Sequence, residues 1–461
     1  MDREQIVTLC QRHQAILLDC NEQVVRIAVV GEASAELMTA LRFTSRKRID
    51  IEYWDPARMS QHRQARQHAW LPGVVDDAGS VVERINQILQ QALLLRASDI
   101  HFEPAENSMR IRLRVDGVLQ GLPPVAENLI APLTARLKVL GSLDIAERRL
   151  PQDGQFSVTL SGQTVSFPIA TLPCRGGEKV VLRLLNQEQQ ALDLASLGMS
   201  AGQLAAFRHA LHQPQGLMLV TGPTGSGKTV TLYSALHECN SEAINISSVE
   251  DPVEIPLAGI CQTQINPRAG LTFQTVLRAL LRQDPDVVMV GEIRDGETAE
   301  IAINAAQTGH LVLSTLHTNS TAESLVRLQQ MGVARWMVAS ALQLIVAQRL
   351  VRKLCPHCCR KSASGVTLPA ALWPEPLPLW QAPGCDRCVR GYHGRLALFE
   401  VMTVSDPIRQ AIAAGATADE IERRALQTGM TTLLSAGCRA VADGLTTVEE
   451  LIRVLGLPHH G

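Results

Sequence analysis

The chain has 461 residues, of which 19% are charged, and its net charge at pH 7 is −2. This length exceeds what one hydrophobic core supports and predicts roughly three or four domains. The near-neutral charge predicts no strong field for DNA, RNA or anionic lipid, and the aromatic content of 3% offers few surfaces for base stacking. We therefore expect no nucleic-acid partner.

The start of the chain, Met1 to Gln5, lacks the basic and then apolar pattern of a signal peptide. No apolar stretch reaches the length of a membrane span. We expect a cytoplasmic protein without a transmembrane segment, in which the eleven cysteines do not form a disulfide framework.

Residues 1–58 are predicted to form a small N-terminal α/β domain. Strand patterns cover residues 24–30 and 49–53, and helical spacing covers residues 33–43. The polar stretch that follows predicts a linker over residues 59–77.

A second α/β domain is predicted over residues 78–190. It begins with helical periodicity over residues 81–95, and the strand over residues 109–115 ends in an Asp-Gly pair typical of a hairpin turn. A further hairpin is predicted over residues 155–165, and a strand over residues 180–185.

From about residue 196, short apolar strands alternate with helical segments, which is the pattern of a mostly parallel sheet covered by helices. The predicted strands are residues 217–220, 244–249, 287–290 and 311–315. The last part of the chain, residues 403–461, is predicted to be helical.

A phosphate-binding loop follows the first of these strands. Eight residues read Gly-Pro-Thr-Gly-Ser-Gly-Lys-Thr before a predicted helix, which is the signature in its expected setting. Its glycines let backbone N–H groups close around phosphate oxygens, and the helix dipole favours the same anion. We expect Lys228 to reach the β- and γ-phosphates and Thr229 to supply a hydroxyl to Mg²⁺. The predicted nucleotide-binding residues are Gly222, Pro223, Thr224, Gly225, Ser226, Gly227, Lys228 and Thr229.

Carboxylates follow the second and third of these strands. ATP hydrolysis requires such groups around Mg²⁺ and the attacking water, and functional groups of parallel sheets gather where the strands end. Glu250 and Glu292 are the predicted catalytic carboxylates. Asp251, Glu254 and Asp295 lie beside them, and the alternative of solvated loop residues weighs more for these three.

Two histidines, His310 and His317, bracket the predicted strand 311–315. A histidine can donate to a γ-phosphate or sense its loss. A lone histidine is more often a core residue, but two beside a nucleotide site favour function, and we predict both to be catalytic residues.

Cysteines form two Cys-x-x-Cys pairs, Cys355 with Cys358 and Cys385 with Cys388. Thiolates at this spacing bind a tetrahedral structural Zn²⁺, and four of them leave no ligand position for a catalytic water. The alternative is four reduced thiols without metal. Cys359 is adjacent and is expected to be a spectator.

Together these motifs resemble one known family. In chain order the phosphate loop and residues 249–254, 284–295 and 308–319 resemble the Walker A, Asp box, Walker B and His box of secretion ATPases. The tetracysteine module narrows the resemblance to the type II secretion and type IV pilus assembly ATPases. Further matching segments are residues 97–101, 114–117, 149–154, 391–395 and 399–400.

The resemblance implies an α/β hexameric motor. A PAS-like domain over residues 78–190 would precede a RecA-like ATPase domain over residues 196–461, which includes a zinc module at 351–400 and the C-terminal helical region. Nucleotide-dependent rotation between the two domains would turn an inner-membrane platform protein that feeds pilins into a fibre. The motor would be peripheral on the inner membrane, and relatives with a longer N-terminal part dock to a membrane-recruiting partner.

The resemblance also implies residue roles. Lys228 and Thr229 would bind phosphate and Mg²⁺, and His310 and His317 would sense the γ-phosphate. Glu292 matches the Walker B glutamate, while Glu250 competes with it as general base, and the sequence leaves the two roles open.

Two departures concern arginines. Family members often have arginine where this chain has Gln155 and Pro168, and an arginine near the γ-phosphate is worth orders of magnitude in rate where one is used. Pro168 also removes a backbone donor from a predicted strand, which suggests an edge or a bulge. The remaining candidates are Arg148, Arg149, Arg183, Arg278, Arg282 and Arg294.

An assembly motor is the leading interpretation. The related retraction ATPases typically lack both the tetracysteine module and the extra N-terminal domain. A nucleic-acid translocase on the same core and a subunit that binds ATP without hydrolysis are the alternatives from other classes.

Overall fold

The structure is a computed structural model, and it describes residues 10, 15–20, 24–31, 34–44, 48–55, 81–160, 162–184, 192–369 and 373–456. Two compact units divide the chain, with the boundary between Gln91 and Ala92. The predicted linker over residues 59–77 lies outside the described residues.

The first unit contains a three-stranded sheet and a helix. Its elements are β1 (Ile16–Cys20), β2 (Val24–Val30), α1 (Ala35–Thr44) and β3 (Arg48–Trp54). Strand β2 is central, antiparallel to β1 and parallel to β3. Its alternate residues Val25, Ile27 and Val29 pack with Leu37 and Leu41 of the helix, as period-2 side-chain alternation requires. The predicted helix and two strands are confirmed, whereas β1 was not predicted.

An antiparallel sheet forms the first part of the second unit. Its strands are β4 (Ala97–Pro104), β5 (Ser108–Val115), β6 (Val118–Gly121), β7 (Val125–Ala126), β8 (Gln152–Leu160), β9 (Gln163–Cys174) and β10 (Gly177–Arg183). The order is β6-β5-β4-β10-β9-β8, with β7 paired to β5. Helix α2 (Val81–Leu94) spans the boundary between the units, and α3 (Glu127–Leu140) follows β7.

Both predicted hairpins are present. Asp116 and Gly117 have φ values of 47° and 81°, the left-handed pair that a two-residue hairpin turn favours. Pro168 pairs with Gln155 in a register without a shift, so no bulge forms there. The pairing of β9 with β10 ends at Ile169, so Pro168 lies at a local strand edge.

A seven-stranded sheet carries the phosphate loop. Its strands are β11 (Gly216–Thr221), β12 (Ile246–Glu250), β13 (Cys261–Gln264), β14 (Val287–Val290), β15 (Leu311–Leu316), β16 (Leu342–Leu354) and, after a ribbon of β17 (Arg360–Val366) and β18 (Leu377–Gln381), β19 (Tyr392–Thr403). Helices beside it are α4 (Ala201–Leu211), α5 (Lys228–Cys239), α6 (Phe273–Leu280), α7 (Gly296–Gln307), α8 (Thr321–Gln330) and α9 (Arg335–Ala341).

The strand order is β13-β12-β14-β15-β11-β16-β19. All pairings are parallel except that of β16 with β19, as the sequence predicted for most of the sheet. Leu217 and Leu219 enter the core on one face, and Met218 and Val220 enter the core on the other, so helices cover both faces. Because the strands are parallel, β12, β14, β15 and β11 all end at one edge.

Four helices close the chain: α10 (Asp406–Ala414), α11 (Ala418–Gln427), α12 (Leu433–Ala442) and α13 (Val448–Leu455). Within the described residues, which end at 456, these helices match the helical segments predicted for this part of the chain. Trp380 of β18 donates from Nε1 to the carbonyl oxygen of Val441 at 2.7 Å, which attaches the ribbon to α12. Glu400 of β19 is buried and accepts from the backbone N of Thr321 at 2.9 Å and of Leu433 at 3.2 Å, so it caps α8 and α12.

Candidate nucleotide-binding site

The phosphate loop lies between β11 and α5, directly above strand β16. Gly222 and Gly227 have φ values of 152° and 92°. A Cβ atom on Gly222 would lie 2.5 Å from the carbonyl oxygen of Gln348. A Cβ atom on Gly227 would lie 2.7 Å from the side-chain Nε2 of Gln348. Only glycine leaves room for this approach. The first N–H groups of α5 lack helical acceptors and are available to an anion.

Lys228, the first residue of α5, is buried. Its Nζ donates to the carbonyl oxygens of Gly222 at 2.8 Å and Pro223 at 3.1 Å. Burial lowers the pKa of Lys228 to about 8, the charge of Glu292 opposes this, and the charge of Arg349 adds to it. A phosphate bound in the loop would therefore meet a desolvated cation whose present partners are neutral carbonyls.

The other loop side chains differ in exposure. Pro223, Thr224 and Thr229 are exposed, so the Thr229 hydroxyl is open to a solvated metal ion. Ser226 is buried, and its Oγ has no hydrogen-bond partner in the described part of the chain.

Glu292 follows β14 and contacts two other side chains of the site. Its Oε1 lies 2.5 Å from Nη2 of Arg294, and its Oε2 lies 3.4 Å from Nε2 of His317. The Glu292 side chain is 13% exposed and that of His317 is 47% exposed. The hydrogen bond that Arg294 donates to Glu292 raises the pKa of Arg294. Glu292, His317 and Lys228 thus share one solvent-accessible edge of the sheet.

Hydroxyl groups fix the strand ends around this edge. The backbone N of Thr318 donates to Oγ1 of Thr221, the last residue of β11, at 2.9 Å. Thr315 of β15 donates from Oγ1 to the carbonyl oxygen of Gly291 at 2.7 Å. These bonds join the end of β15 to β11 and to the residue that follows β14. They therefore hold His317 near the carboxylate of Glu292.

Glu250 ends β12 and is buried, at 3% exposure. Its Oε1 accepts from Oγ of Ser248 at 2.5 Å and from Nε2 of Gln262 at 3.1 Å, and its Oε2 accepts from the hydroxyl of Tyr233. The two predicted carboxylates therefore differ: Glu292 faces an exposed histidine, whereas Glu250 faces neutral donors of the protein.

His310 lies at the opposite edge of the sheet. Its carbonyl oxygen accepts from the backbone N of Gly216, which begins β11, whereas the phosphate loop follows the other end of that strand. Six strand residues separate the two edges by about 20 Å. Its Nδ1 lies 3.0 Å from the carbonyl oxygen of Ala305. Within one chain the structure therefore brings His317, and not His310, to the edge that carries the phosphate loop.

Asp295 has a structural role as the N-cap of α7. It accepts from the backbone N and the hydroxyl of Thr298, both at 2.9 Å, and from Nε2 of Gln274 at 3.0 Å. Burial raises the pKa of Asp295, but these hydrogen bonds outweigh it and lower the pKa. Asp251 and Glu254 are exposed beside the site.

Among the arginines considered from the sequence, Arg294 lies beside Glu292. Gln155 donates from Nε2 to Oγ of Ser166 at 2.6 Å. Three of the other candidates form exposed or half-exposed ion pairs: Arg149 with Glu147, Arg183 with Asp99, and Arg278 with Glu297.

Sequence reasoning missed two residues of β16 beneath the loop. Gln348 accepts at Oε1 from the hydroxyl of Thr231 at 2.7 Å. Arg349 is buried and donates from Nη2 to the carbonyl oxygen and Oδ1 of Asn319 at 3.0 and 3.1 Å. Burial lowers the pKa of Arg349. No motif marks these residues, because their position depends on the pairing of β16 with β11.

The structure brings the four predicted cysteine ligands together. All four sulfur atoms lie within 4.8 Å of one another. The Sγ–Sγ distances are 3.7 Å for Cys355 and Cys385, 3.7 Å for Cys358 and Cys388, and 3.6 Å for Cys385 and Cys388. Tetrahedral Zn²⁺ with bonds of about 2.3 Å separates its sulfur ligands by about 3.8 Å, so the cluster fits zinc.

The fold and these sites define a P-loop nucleotide-binding protein of the α/β class with a tetracysteine cluster. The family model described as Type II/IV secretion system protein matches residues 74–453, and the chain belongs to this family. The predicted family is confirmed.

Comparisons with individual proteins agree with this family assignment. The chain is 63% identical over 459 residues to the "Protein transport protein HofB homolog" of Escherichia coli (strain K12), covering 100% of both chains. It is 41% identical over 479 residues to the "Type IV pilus assembly ATPase PilB" of Acinetobacter baylyi, covering 97% of this chain and 83% of that one. Among solved structures it resembles the pilus retraction motor PilT with bound ADP, with 26% identity, a TM-score of 0.54, and coverage of 80% and 96%.

Within the described residues, no helix is both long and apolar enough to span a membrane.

Proposed function

We propose that this protein is a hexameric ATPase that powers assembly of a type IV pilus or a type II secretion pseudopilus through an inner-membrane platform protein. The observation that carries the proposal is the convergence of the phosphate loop, Glu292 and His317 at one edge of the parallel sheet. The family match and the 41% identity to a pilus assembly ATPase support it.

The loop binds the phosphates of ATP through its backbone N–H groups and Lys228. The amine of Lys228 exchanges the carbonyl oxygens of Gly222 and Pro223 for phosphate oxygens. The hydroxyl of Thr229 would hold Mg²⁺, which when bound neutralises developing charge on the phosphates.

Glu292 is the group that accepts a proton from the attacking water. Its carboxylate is partly exposed and is oriented by Arg294, and general-base catalysis requires such access. His317 lies against the same carboxylate and senses the γ-phosphate. Glu292 thus joins the site of cleavage to the residue that reports it.

The motor couples cleavage to movement between a PAS-like domain over residues 78–190 and a RecA-like domain over residues 196–461. Asp116 of the first domain accepts from the backbone N of Gly394 in the second at 2.9 Å, which supports a defined contact between them. Zn²⁺ held by the four cysteines stabilises the module over residues 351–400. The hexamer would lie in the cytoplasm, peripheral on the inner membrane, where a recruiting partner also docks.

Assembly is favoured over retraction by the tetracysteine cluster and by the higher identity to the assembly ATPase than to the retraction motor, 41% against 26%. A nucleic-acid translocase is disfavoured by the net charge of −2 and the few aromatic residues.

The variant Glu292→Gln tests this function. It removes the proton acceptor while keeping the shape of the side chain, so Mg-ATP binding should persist while turnover falls by about 100-fold or more. Glu300→Gln, an exposed site on α7, is the matched control. Undiminished turnover in Glu292→Gln would contradict the proposed role.

A further inference from the structure

The buried carboxylate of Glu250 is satisfied by the protein itself. Both of its oxygens accept hydrogen bonds, one from Ser248 and Gln262 and the other from Tyr233. No arginine, lysine or histidine of the described ranges forms an ion pair with it. Removal of one of these donors would leave a buried acceptor partly unsatisfied.

Tyr233 connects this carboxylate to the phosphate loop. It lies in the second turn of α5, the helix that begins at Lys228, and its side chain is fully buried. Its hydroxyl also accepts from the backbone N of Glu254 at 3.2 Å, within the loop that follows β12. The Tyr233 hydroxyl thus joins α5, which we call the phosphate-loop helix, to the end of β12 and to the loop after β12, which we call the strand-end loop.

Resting on the function proposed above, we infer that Glu250 is a positioning residue and that Tyr233 is the link through which it holds the phosphate-loop helix against the strand-end loop. Proton abstraction is then left to Glu292.

The contrast between the two carboxylates carries this assignment. A general base needs a lone pair that faces water. The lone pairs of the Glu250 carboxylate face hydrogen-bond donors of the protein, and Glu250 is only 3% exposed. The Glu292 side chain is 13% exposed and contacts the open His317. Burial and the neighbouring Glu250 charge raise the pKa of Tyr233, so its phenol remains a donor.

If Glu250 is a positioning residue, Glu250→Gln and Tyr233→Phe should have different effects on the hydrogen bond between the two side chains. In Glu250→Gln the amide oxygen can still accept, and the amide nitrogen can donate to the Tyr233 oxygen. The link therefore survives in altered form, whereas a proton acceptor would be lost. Tyr233→Phe keeps the ring and removes the link.

Steady-state ATPase kinetics of the full chain test the inference with Glu250→Gln, Tyr233→Phe, the double variant and Glu292→Gln. We expect Glu250→Gln to keep kcat within about tenfold of the wild type, and Glu292→Gln to lose about 100-fold or more. Tyr233→Phe should raise KM for ATP and lower kcat by about three- to tenfold. The double variant should match Tyr233→Phe, because residues that share one link are not additive.

A fall in kcat for Glu250→Gln as large as that for Glu292→Gln would overturn the inference, and so would multiplying effects in the double variant. If Tyr233→Phe does not fold, as judged by thermal melting, Ser248→Ala removes a different donor and should show the same non-additivity with Glu250→Gln. Failure of the proposed function is separate, because it would appear as wild-type protein without ATPase activity or as full activity in Glu292→Gln.

Discussion

Binding of Mg-ATP should take up a proton at Lys228 above pH 8. In the free protein burial holds the pKa of Lys228 at about 8, so at pH 9 about nine-tenths of the amine is neutral. Phosphate oxygens favour the charged amine and raise its pKa toward the ordinary value of 10.5. Well below pH 8 the amine is almost fully charged in both states, and binding depends little on its proton.

The magnitude follows from the two pKa values. A full return to 10.5 would weaken binding about tenfold for each pH unit above 8 and by about 300-fold in total, equal to about 3 kcal/mol. The ligand adds no proton of its own in this range, because phosphate groups have a second pKa of about 6.

Calorimetry in two buffers of different ionisation enthalpy measures this uptake. We expect about 0.1 proton per bound nucleotide at pH 7 and about 0.9 at pH 9. Lys228→Arg is the control, because its guanidinium stays charged and any binding it retains should show no change in uptake. Equal uptake by the wild type at both pH values would refute the lowered pKa of Lys228.

Two further predictions concern stability. Cys358→Ser should lose bound zinc and lower the melting temperature, whereas Cys359→Ser, outside the cluster, should do neither; equal zinc content in both would count against the metal site. Glu178→Gln breaks the buried 2.8 Å pair with Lys138 and should destabilise the protein by about 3–5 kcal/mol in denaturant unfolding. The double change Lys138→Met and Glu178→Leu should cost much less, and an equal cost would show that packing dominates there.

Much of the site could be predicted because its residues lie at strand ends. The phosphate loop signature fixes a strand, a turn and a helix, and parallel strands bring Glu292 and His317 to the same edge. The cysteine spacing likewise predicts one cluster. These inferences need only local sequence and the direction of the strands.

The position of His310 follows from strand direction. It precedes β15, and a residue before a parallel strand lies at the edge opposite the phosphate loop. Glu250 accepts hydrogen bonds from Tyr233 and Gln262. Both donors lie on other elements, so the sequence around Glu250 does not indicate these contacts.

Other contacts are set by pairing between distant segments. Gln348 and Arg349 lie under the loop only because β16 pairs with β11. Glu450 of α13 is buried and accepts hydrogen bonds from Arg352 of β16, which lies 98 residues earlier in the chain. No sequence spacing indicates such contacts, because they join strands and helices far apart in the chain.

The central claim is that the phosphate loop and Lys228 bind ATP for cleavage at Glu292. Its most direct test is Mg-dependent ATP binding and hydrolysis by the folded full chain, beside Lys228→Ala. The account predicts nucleotide uptake and turnover by the wild type and loss of both in the variant. A folded wild-type protein that takes up no adenine nucleotide, or a variant with unchanged turnover, would contradict it.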